Sequence, residues 1–147
     1  MKDEGGARDL TAEELADPAL TITPRYWVPA AAVEERLAGR WTRGWLLGWR
    51  DIARSTDERT AIFSLLPRVA VGHTAPLILF AEESSPAQIA CFLSSVNSLV
   101  FDFVTRQKIG GTHLTYTYLN QLPVLPPSAV SPQPSSLIPQ PSSSLAC

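Results

Sequence analysis

The chain has 147 residues, a mass of 16.0 kDa, a formal net charge of −2 and a pI near 5.6. This length fits one small domain, because a domain of about 150 residues buries roughly 70% of its unfolded surface. The acidic balance argues against a generic polyanion binder. Two cysteines, Cys91 and Cys147, indicate neither a disulfide framework nor a thiolate metal site, so we expect a reducing, cytoplasmic environment.

Charge is unevenly distributed along the chain. Residues 1–17 contain two basic and six acidic residues and form no long apolar face, which predicts an acidic leader over residues 1–20. Residues 25–113 contain ten basic and eight acidic residues, a mildly basic balance that permits nucleic-acid binding. No segment approaches the roughly 20 apolar residues of a membrane span, so we expect no membrane partner.

The N-terminal half predicts two helices. Thr11 and Glu14 match a capping box and predict a helix over residues 11–16. A second helix is predicted over residues 29–38, because Pro29 suits a first helical turn and Gly39 stops the helix.

Three apolar runs follow and predict strands. Residues 45–52 and 61–66 are separated by a polar segment, which predicts a strand, a connection and a second strand. Residues 76–80 form the third apolar run.

A helix with a one-sided apolar stripe is the clearest element of the C-terminal half. It starts at the N-cap Ser85, and we expect it to bury a face containing Phe92, Leu99 and Phe103 against the sheet. Its apolar positions are 89, 92, 93, 96, 99, 100, 103 and 104. Gly110 and Gly111 end it, and the alternation of residues 114–119 predicts a strand.

These elements predict an α+β fold, with a small mixed sheet packed against one long amphipathic helix. Residues 126–147 contain six prolines and seven serines, too few apolar groups to fold. We therefore expect a domain over residues 21–127 and a disordered Pro/Ser-rich tail over residues 128–147.

Polar donors concentrate in two segments of the predicted domain and are candidates for contact with DNA. Arginine, lysine and hydroxyl groups on loops bind phosphates, and a few side chains read base edges. Paired glycines let backbone approach a groove wall closely. The candidates are Arg50, Arg54, Ser55, Thr56, Arg59, Arg106, Lys108, Gly110, Gly111, Thr112 and His113.

Structural explanations compete with this interpretation. Arg50 or Arg54 could pair with Asp51, Asp57 or Glu58 and fix the shape of the loop. Cations in the last turn of a helix are favoured by its dipole, and paired glycines also form a plain C-cap. For the tryptophans at positions 27, 41, 45 and 49, core or interface packing is favoured over stacking on bases.

Five segments carry a family resemblance, in the family's order and at its spacing: residues 24–29, 44–60, 66–73, 97–114 and 121–127. Over residues 21–127 the chain resembles the C-terminal target-recognition (TaqI-like specificity) region of adenine-specific DNA methyltransferases. The family includes the single-chain type IIG restriction-modification enzymes and related phage-defence methylases. The resemblance implies sequence-specific binding of double-stranded DNA beside an upstream catalytic domain that uses S-adenosylmethionine.

The catalytic motifs of that family are missing from this sequence. Its only Pro-Pro pair, Pro126-Pro127, lies between Leu125 and Ser128 rather than in an Asn/Asp-Pro-Pro-Tyr/Phe tetrapeptide, and no Gly-x-Gly follows a strand. We therefore expect a fragment without methyltransferase activity or cofactor of its own. The alternative is a non-catalytic subunit that docks on a methyltransferase chain. We also expect Arg54→Ala and Arg106→Ala to weaken DNA binding and leave the fold intact.

Overall fold

A computed structural model describes residues 9–21 and 26–126. Helices and a small antiparallel sheet confirm the predicted α+β class. The predicted tail over residues 128–147 lies outside the described residues, as do the first eight residues of the predicted leader. The elements are α1 (Ala12–Ala16), α2 (Ala30–Leu37), β1 (Trp45–Trp49), β2 (Phe63–Pro67), β3 (Leu77–Ile78), α3 (Pro86–Val96), α4 (Leu99–Lys108) and α5 (Tyr116–Leu119).

Both predicted N-terminal helices are present, with bounds within one residue of the prediction. The side chain of Thr11 accepts a hydrogen bond from the Glu14 amide, and the Glu14 carboxylate accepts one from the Thr11 amide. Pro29 is the N-cap of α2, and Gly39 follows its end with φ of +67°. This left-handed conformation is open to glycine without steric cost, which explains why α2 ends there.

The sheet has the order β2-β1-β3, and both pairings are antiparallel, so the expectation of a mixed sheet is wrong. Trp45 lies opposite Pro67 and Trp49 opposite Phe63, while Leu47 pairs with Ile78. An antiparallel pair needs no crossover helix, and residues 50–62 connect β1 directly to β2. We call this segment the 50–62 connection.

Side chains of the central strand β1 are buried on both faces of the sheet. On one face, Leu47 and Trp49 pack in the main core with residues of α3 and α4. On the other, Leu46 packs against Leu37 of α2 and Trp41. Burial on both sides explains the uninterrupted apolar run at positions 45–49.

Arg68 attaches α2 to the end of β2. Its guanidinium donates two hydrogen bonds to the carboxylate of Glu34, at 2.8 and 2.7 Å, and two more to the carbonyls of Trp41 and Arg43. The hydrogen bond from Arg68 holds the pKa of Glu34 below its ordinary value. Planar pairing of this kind fixes orientation as well as distance.

The predicted long helix is two helices, α3 and α4, which meet at a 58° bend. Asn97 leaves the helical path because its side-chain amide donates to the Phe63 carbonyl and accepts from the Phe63 amide, both at 3.0 Å. Ser98 then caps α4 by accepting a hydrogen bond from the Phe101 amide at 3.2 Å.

This bend changes which residues of α4 face the core. Phe101 is buried, whereas Leu99 and Phe103 are 74% and 62% exposed. Phe92 on α3 packs against the main core as expected. The prediction that Leu99 and Phe103 are buried is therefore wrong, because the break at residues 97–98 resets the helical phase.

The predicted strand over residues 114–119 is also wrong. Tyr116–Leu119 form the short helix α5, and His113, just before the predicted strand, forms an isolated bridge with Ile52. The carbonyl of Leu114 accepts a hydrogen bond from the buried indole of Trp49 at 2.7 Å, and the Tyr116 hydroxyl donates to the Leu77 carbonyl. These tertiary contacts outweigh the strand propensity of the threonines and tyrosines.

In the described ranges, no single helix is long and apolar enough to cross a membrane. The bent pair α3 and α4 meets that criterion by length and composition alone. Residues of both helices, Ile89, Val96 and Phe101 among them, are buried in the main core of this chain.

Candidate nucleic-acid interface

The fold brings together the two segments that the sequence selects as candidate DNA contacts. The amide of Ala53 donates to the carbonyl of Thr112 at 3.0 Å, and the amide of Leu114 donates to the carbonyl of Asp51 at 2.7 Å. Ile52 and His113 form the bridge between these two hydrogen bonds. Residues 51–53 and 112–114 thus form a short antiparallel ladder, which we call the 51/113 ladder.

Asp102 of α4 holds the 50–62 connection from beneath. Its carboxylate is buried, and Oδ1 accepts hydrogen bonds from the backbone amides of Thr60 and Ala61, each at 2.8 Å. Oδ2 accepts from Nε of Arg106 at 2.8 Å, and Nε of Arg59 lies 3.6 Å from Oδ1. A single buried carboxylate therefore attaches the end of the connection to α4.

The pKa of Asp102 is held below its ordinary range. Burial by itself raises the pKa, because a charged carboxylate loses its hydration. Hydrogen bonds from the Ala61 amide, the Arg106 side chain and the Thr60 amide, together with the charge of Arg106, outweigh that effect. The carboxylate is therefore ionised near neutral pH, when its partners are in place.

Three of the predicted DNA-contacting arginines are engaged within the protein. Arg50 forms an ion pair with Asp57 at 3.2 Å and donates to the carbonyl of Arg59. Arg59 itself donates to the carbonyl of Asn97 at 2.8 Å. Arg106, besides its pair with Asp102, donates to the carbonyls of Ser55 and Glu58. The Arg50–Asp57 pair is one of the pairs expected if these arginines fix the shape of the loop instead of contacting DNA.

Arg106 consequently has a different role from the one that its sequence position indicates. Its guanidinium spans from α4 to the 50–62 connection and neutralises a buried carboxylate. Truncating Arg106 would leave Asp102 buried with less compensation. The expectation that Arg106→Ala leaves the fold intact does not agree with this geometry.

Arg54 is held by hydrogen bonds at its backbone and exposed at its side chain. Its amide donates to Oδ2 of Asp57 at 3.1 Å, and its carbonyl accepts from the Thr60 hydroxyl at 2.7 Å. Within the described part of the chain, its guanidinium has no hydrogen-bonding or charged partner, and the residue is exposed. Four further candidates share this state, with exposed side chains that have no such partner among residues 9–21 and 26–126: Ser55, Thr56, Lys108 and Thr112.

His113 is positioned by a carboxylate. Its Nδ1 lies 2.6 Å from Oδ2 of Asp51, while the imidazole side chain is 52% exposed and the Asp51 side chain only 12% exposed. Both residues belong to the 51/113 ladder, so their backbones are fixed as well. The ring therefore presents its other nitrogen, Nε2, away from the carboxylate.

Gly110 and Gly111 are exposed in the turn that follows α4. Among the described glycines only Gly39 has a positive φ, so neither needs glycine for its backbone angles. The amide of Gly110 donates to the Tyr118 hydroxyl at 3.4 Å, and a Cβ added at Gly111 would meet no atom within 4 Å. Both remain candidates for close approach of backbone to a ligand, without a conformational requirement of their own.

Sequence reasoning missed Asp102 and Asn97 as residues that shape this site. The signal for Asp102 was a lone carboxylate between Phe101 and Phe103 in an apolar helix, which needs partners when it is buried. The signal for Asn97 was its position before Ser98, a residue suited to capping a new helix. The prediction that the tryptophans pack in the core is confirmed for Trp41 and Trp49, which are buried, and Trp45 packs partly buried against both clusters. It is wrong for Trp27, which is 70% exposed.

No group of three or more histidine, cysteine, aspartate or glutamate residues is placed to hold a metal ion within residues 9–21 and 26–126. An apolar cavity of about 480 Å³ lies between β3, α3 and α5, lined among others by Ile78, Phe92 and Tyr116. The candidate residues lie elsewhere, on the ladder, the 50–62 connection and the end of α4.

The fold and the surface define a small α+β domain in which two partly basic loops are hydrogen-bonded to each other. Comparison of the chain with protein-family models, with curated proteins and with solved structures finds no match.

Proposed function

We propose that this chain is the double-stranded DNA-binding, target-recognition module of an adenine-specific DNA methyltransferase of a restriction-modification or phage-defence system. It acts in the cytoplasm beside a catalytic domain or chain that binds S-adenosylmethionine. The sequence resemblance over residues 21–127 supports this function. One structural observation carries it: the 51/113 ladder joins two distant segments whose exposed side chains include some without a hydrogen-bonding or charged partner within residues 9–21 and 26–126. Thr112 lies on the ladder, and Arg54, Ser55 and Thr56 follow it directly in the other segment.

The internal arginines support the proposal by organising the surface before DNA arrives. Arg50, Arg59 and Arg106 satisfy backbone carbonyls and carboxylates of the 50–62 connection. Loops that are ordered in advance lose less entropy on binding, so more of the interaction energy remains as affinity. The exposed guanidinium of Arg54 and the ammonium of Lys108 then bind phosphates, and the hydroxyls of Ser55, Thr56 and Thr112 donate to phosphates or base edges.

Methyl transfer itself is assigned to the partner. A base-modifying enzyme extrudes its target base into a pocket that stacks and hydrogen-bonds it, and S-adenosylmethionine supplies the methyl group there. This chain's part is to set the register of the duplex so that the adenine lies at that pocket.

The proposal is tested by selection from a random duplex DNA library with the purified chain at two salt concentrations. We expect enrichment of one short motif and a steep fall of affinity with salt, because bound phosphates release counterions. Arg54→Ala is expected to reduce the slope of log K against log salt by about 1. Arg40→Ala, which removes an exposed arginine from the segment after α2, is the matched control. Absence of any enriched motif would overturn the proposal.

A second candidate function is docking on a methyltransferase chain with little direct contact to DNA. The outer face of α4 favours it, since Leu99, Val100 and Phe103 are 74%, 74% and 62% exposed on one helix. Contiguous exposed apolar side chains of this kind mark interaction surfaces. A docking subunit would show neither an enriched motif nor the salt dependence, so the same selection distinguishes the two functions.

A further inference from the structure

We propose that His113 reads an exocyclic amino group in the major groove, N6 of adenine or N4 of cytosine, with Asp51 as its positioning residue. The inference rests on the proposed DNA-binding function and adds to it the base edge that one residue selects. It is carried by the contact between Nδ1 of His113 and Oδ2 of Asp51 and by the exposure of the ring.

The carboxylate of Asp51 determines which ring nitrogen carries the proton. A carboxylate only accepts hydrogen bonds, so Nδ1 must be the donor in this pair. In the neutral ring, Nε2 is then a bare acceptor facing away from Asp51. An acceptor fixed in this way pairs with a donor, and the donors that bases offer in the major groove are the amino groups of adenine and cytosine.

The 51/113 ladder favours the major groove over the minor groove. His113 and Ile52 sit opposite each other on two antiparallel segments. Ile52 and His113 are exposed, whereas Asp51, Ala53 and Leu114 are buried, so the ladder presents one narrow edge to solvent. The major groove, about 12 Å wide, admits a protein edge more readily than the minor groove of about 6 Å. Guanine and thymine present acceptors at the corresponding positions, so an acceptor on the protein rejects them.

The backbone of the site keeps the imidazole in place. Hydrogen bonds on either side of His113, from the amide of Ala53 to Thr112 and from the amide of Leu114 to Asp51, fix the residue at its base. A pre-positioned polar group discriminates strongly because the wrong base leaves it without a partner.

The test uses the full chain in the same library selection, with His113→Ala, Asp51→Asn and the control His73→Ala, which removes an exposed histidine outside the ladder. We expect the parent and the control to require adenine or cytosine at one position of the motif. His113→Ala should reduce the preference for adenine or cytosine at that position about tenfold and leave the preferences at the other positions unchanged. Asp51→Asn should lose part of it, because an amide both donates and accepts and no longer imposes one form of the ring.

A duplex carrying purine in place of the selected adenine, or 2-pyrimidinone in place of cytosine, removes only the amino group. The parent should bind it about tenfold more weakly, and His113→Ala should show no further loss. In ¹⁵N spectra of the parent bound to DNA, Nδ1 of His113 should be protonated and Nε2 not. Protonation of both ring nitrogens would overturn the inference. So would additive losses of affinity when His113→Ala is combined with the duplex that lacks the amino group.

Failure of the inference and failure of the proposed function give different results. If the parent enriches a motif and His113→Ala enriches the same motif equally well, His113 does not read a base and DNA recognition stands. If the parent enriches no motif, the proposed function fails and the inference with it. Far-ultraviolet circular dichroism and thermal unfolding of each variant establish that it is folded.

Discussion

The backbone amide of Thr60 donates a hydrogen bond of 2.8 Å to Oδ1 of Asp102, a residue 42 positions further along the chain. This contact joins the connection that carries Arg54 to the helix that ends beside the second candidate segment. Because the carboxylate also pairs with Arg106, one buried charge organises both parts of the candidate interface.

Removing the Asp102 carboxylate should destabilise the fold. Asp102→Ala leaves two buried backbone amides and Nε of Arg106 without their acceptor, and we expect a loss of about 3–5 kcal/mol in the free energy of unfolding. Urea denaturation followed by tryptophan fluorescence measures it. Gln107→Ala, at an exposed position of the same helix, is the control and should change the free energy by less than about 0.5 kcal/mol. Equal values for the two variants would contradict the assignment.

Stability should depend on acid through the same carboxylate. Its pKa is lower in the folded state than in the unfolded chain, so the unfolded chain binds a proton at higher pH than the folded one. The resulting stabilisation is complete above the unfolded pKa of about 3.9 and is lost as pH falls through the folded value. Below about pH 4, the parent's free energy of unfolding should therefore fall more steeply than that of Asp102→Asn. Parallel curves from urea denaturation between pH 2 and 6 would rule out this contribution.

Gly48 is expected to reject any side chain. A Cβ at this position would lie 2.8 Å from the carbonyl oxygen of Pro76 and 3.2 Å from a methyl carbon of Leu66. Because the closest atom belongs to the backbone, Gly48→Ala must displace β1 from the segment before β3, at a cost of about 2 kcal/mol. Gly44→Ala is the matched control, since a Cβ there meets nothing within 4 Å. The Tm of Gly48→Ala should lie clearly below that of Gly44→Ala. Equal Tm values would show that the sheet accommodates the added methyl group.

The phase of α4 is tested by two phenylalanines. Phe101 is buried, and Phe101→Ala should cost about 3–5 kcal/mol through a cavity in the core. Phe103 is largely exposed, and Phe103→Ala should change the free energy of unfolding by less than about 1 kcal/mol. Chemical denaturation of both variants measures these changes. A larger loss for Phe103→Ala than for Phe101→Ala would contradict the observed phase of α4 and favour the uninterrupted helix predicted from the sequence.

Local signals made several elements predictable. The capping box at Thr11 and Glu14, the N-cap at Ser85 and the stop at Gly39 act over a few residues, so the sequence alone locates them. The apolar run at positions 45–52 likewise predicts a strand, and the structure forms it over Trp45–Trp49, ending before Arg50.

The predictions of one long helix and of a strand over residues 114–119 fail because contacts between distant residues outweigh the local pattern. The side-chain amide of Asn97 pairs with Phe63, 34 residues earlier, and this contact breaks a helix whose apolar spacing continues past it. The alternation of residues 114–119 predicts a strand, but contacts of Leu114 and Tyr116 with β1 and β3 hold a turn and a short helix instead.

For the candidate interface, the sequence by itself determined which two segments are rich in donors and which residue types they contain. Only the tertiary structure decided that these segments form one ladder, that Arg50, Arg59 and Arg106 bind within the protein, and that Arg54 and Thr112 present exposed side chains. The physical reason is that a donor's availability depends on which acceptors lie within about 3 Å of it. Spacing along the chain carries no information about acceptors that folding brings from 40 or 50 residues away.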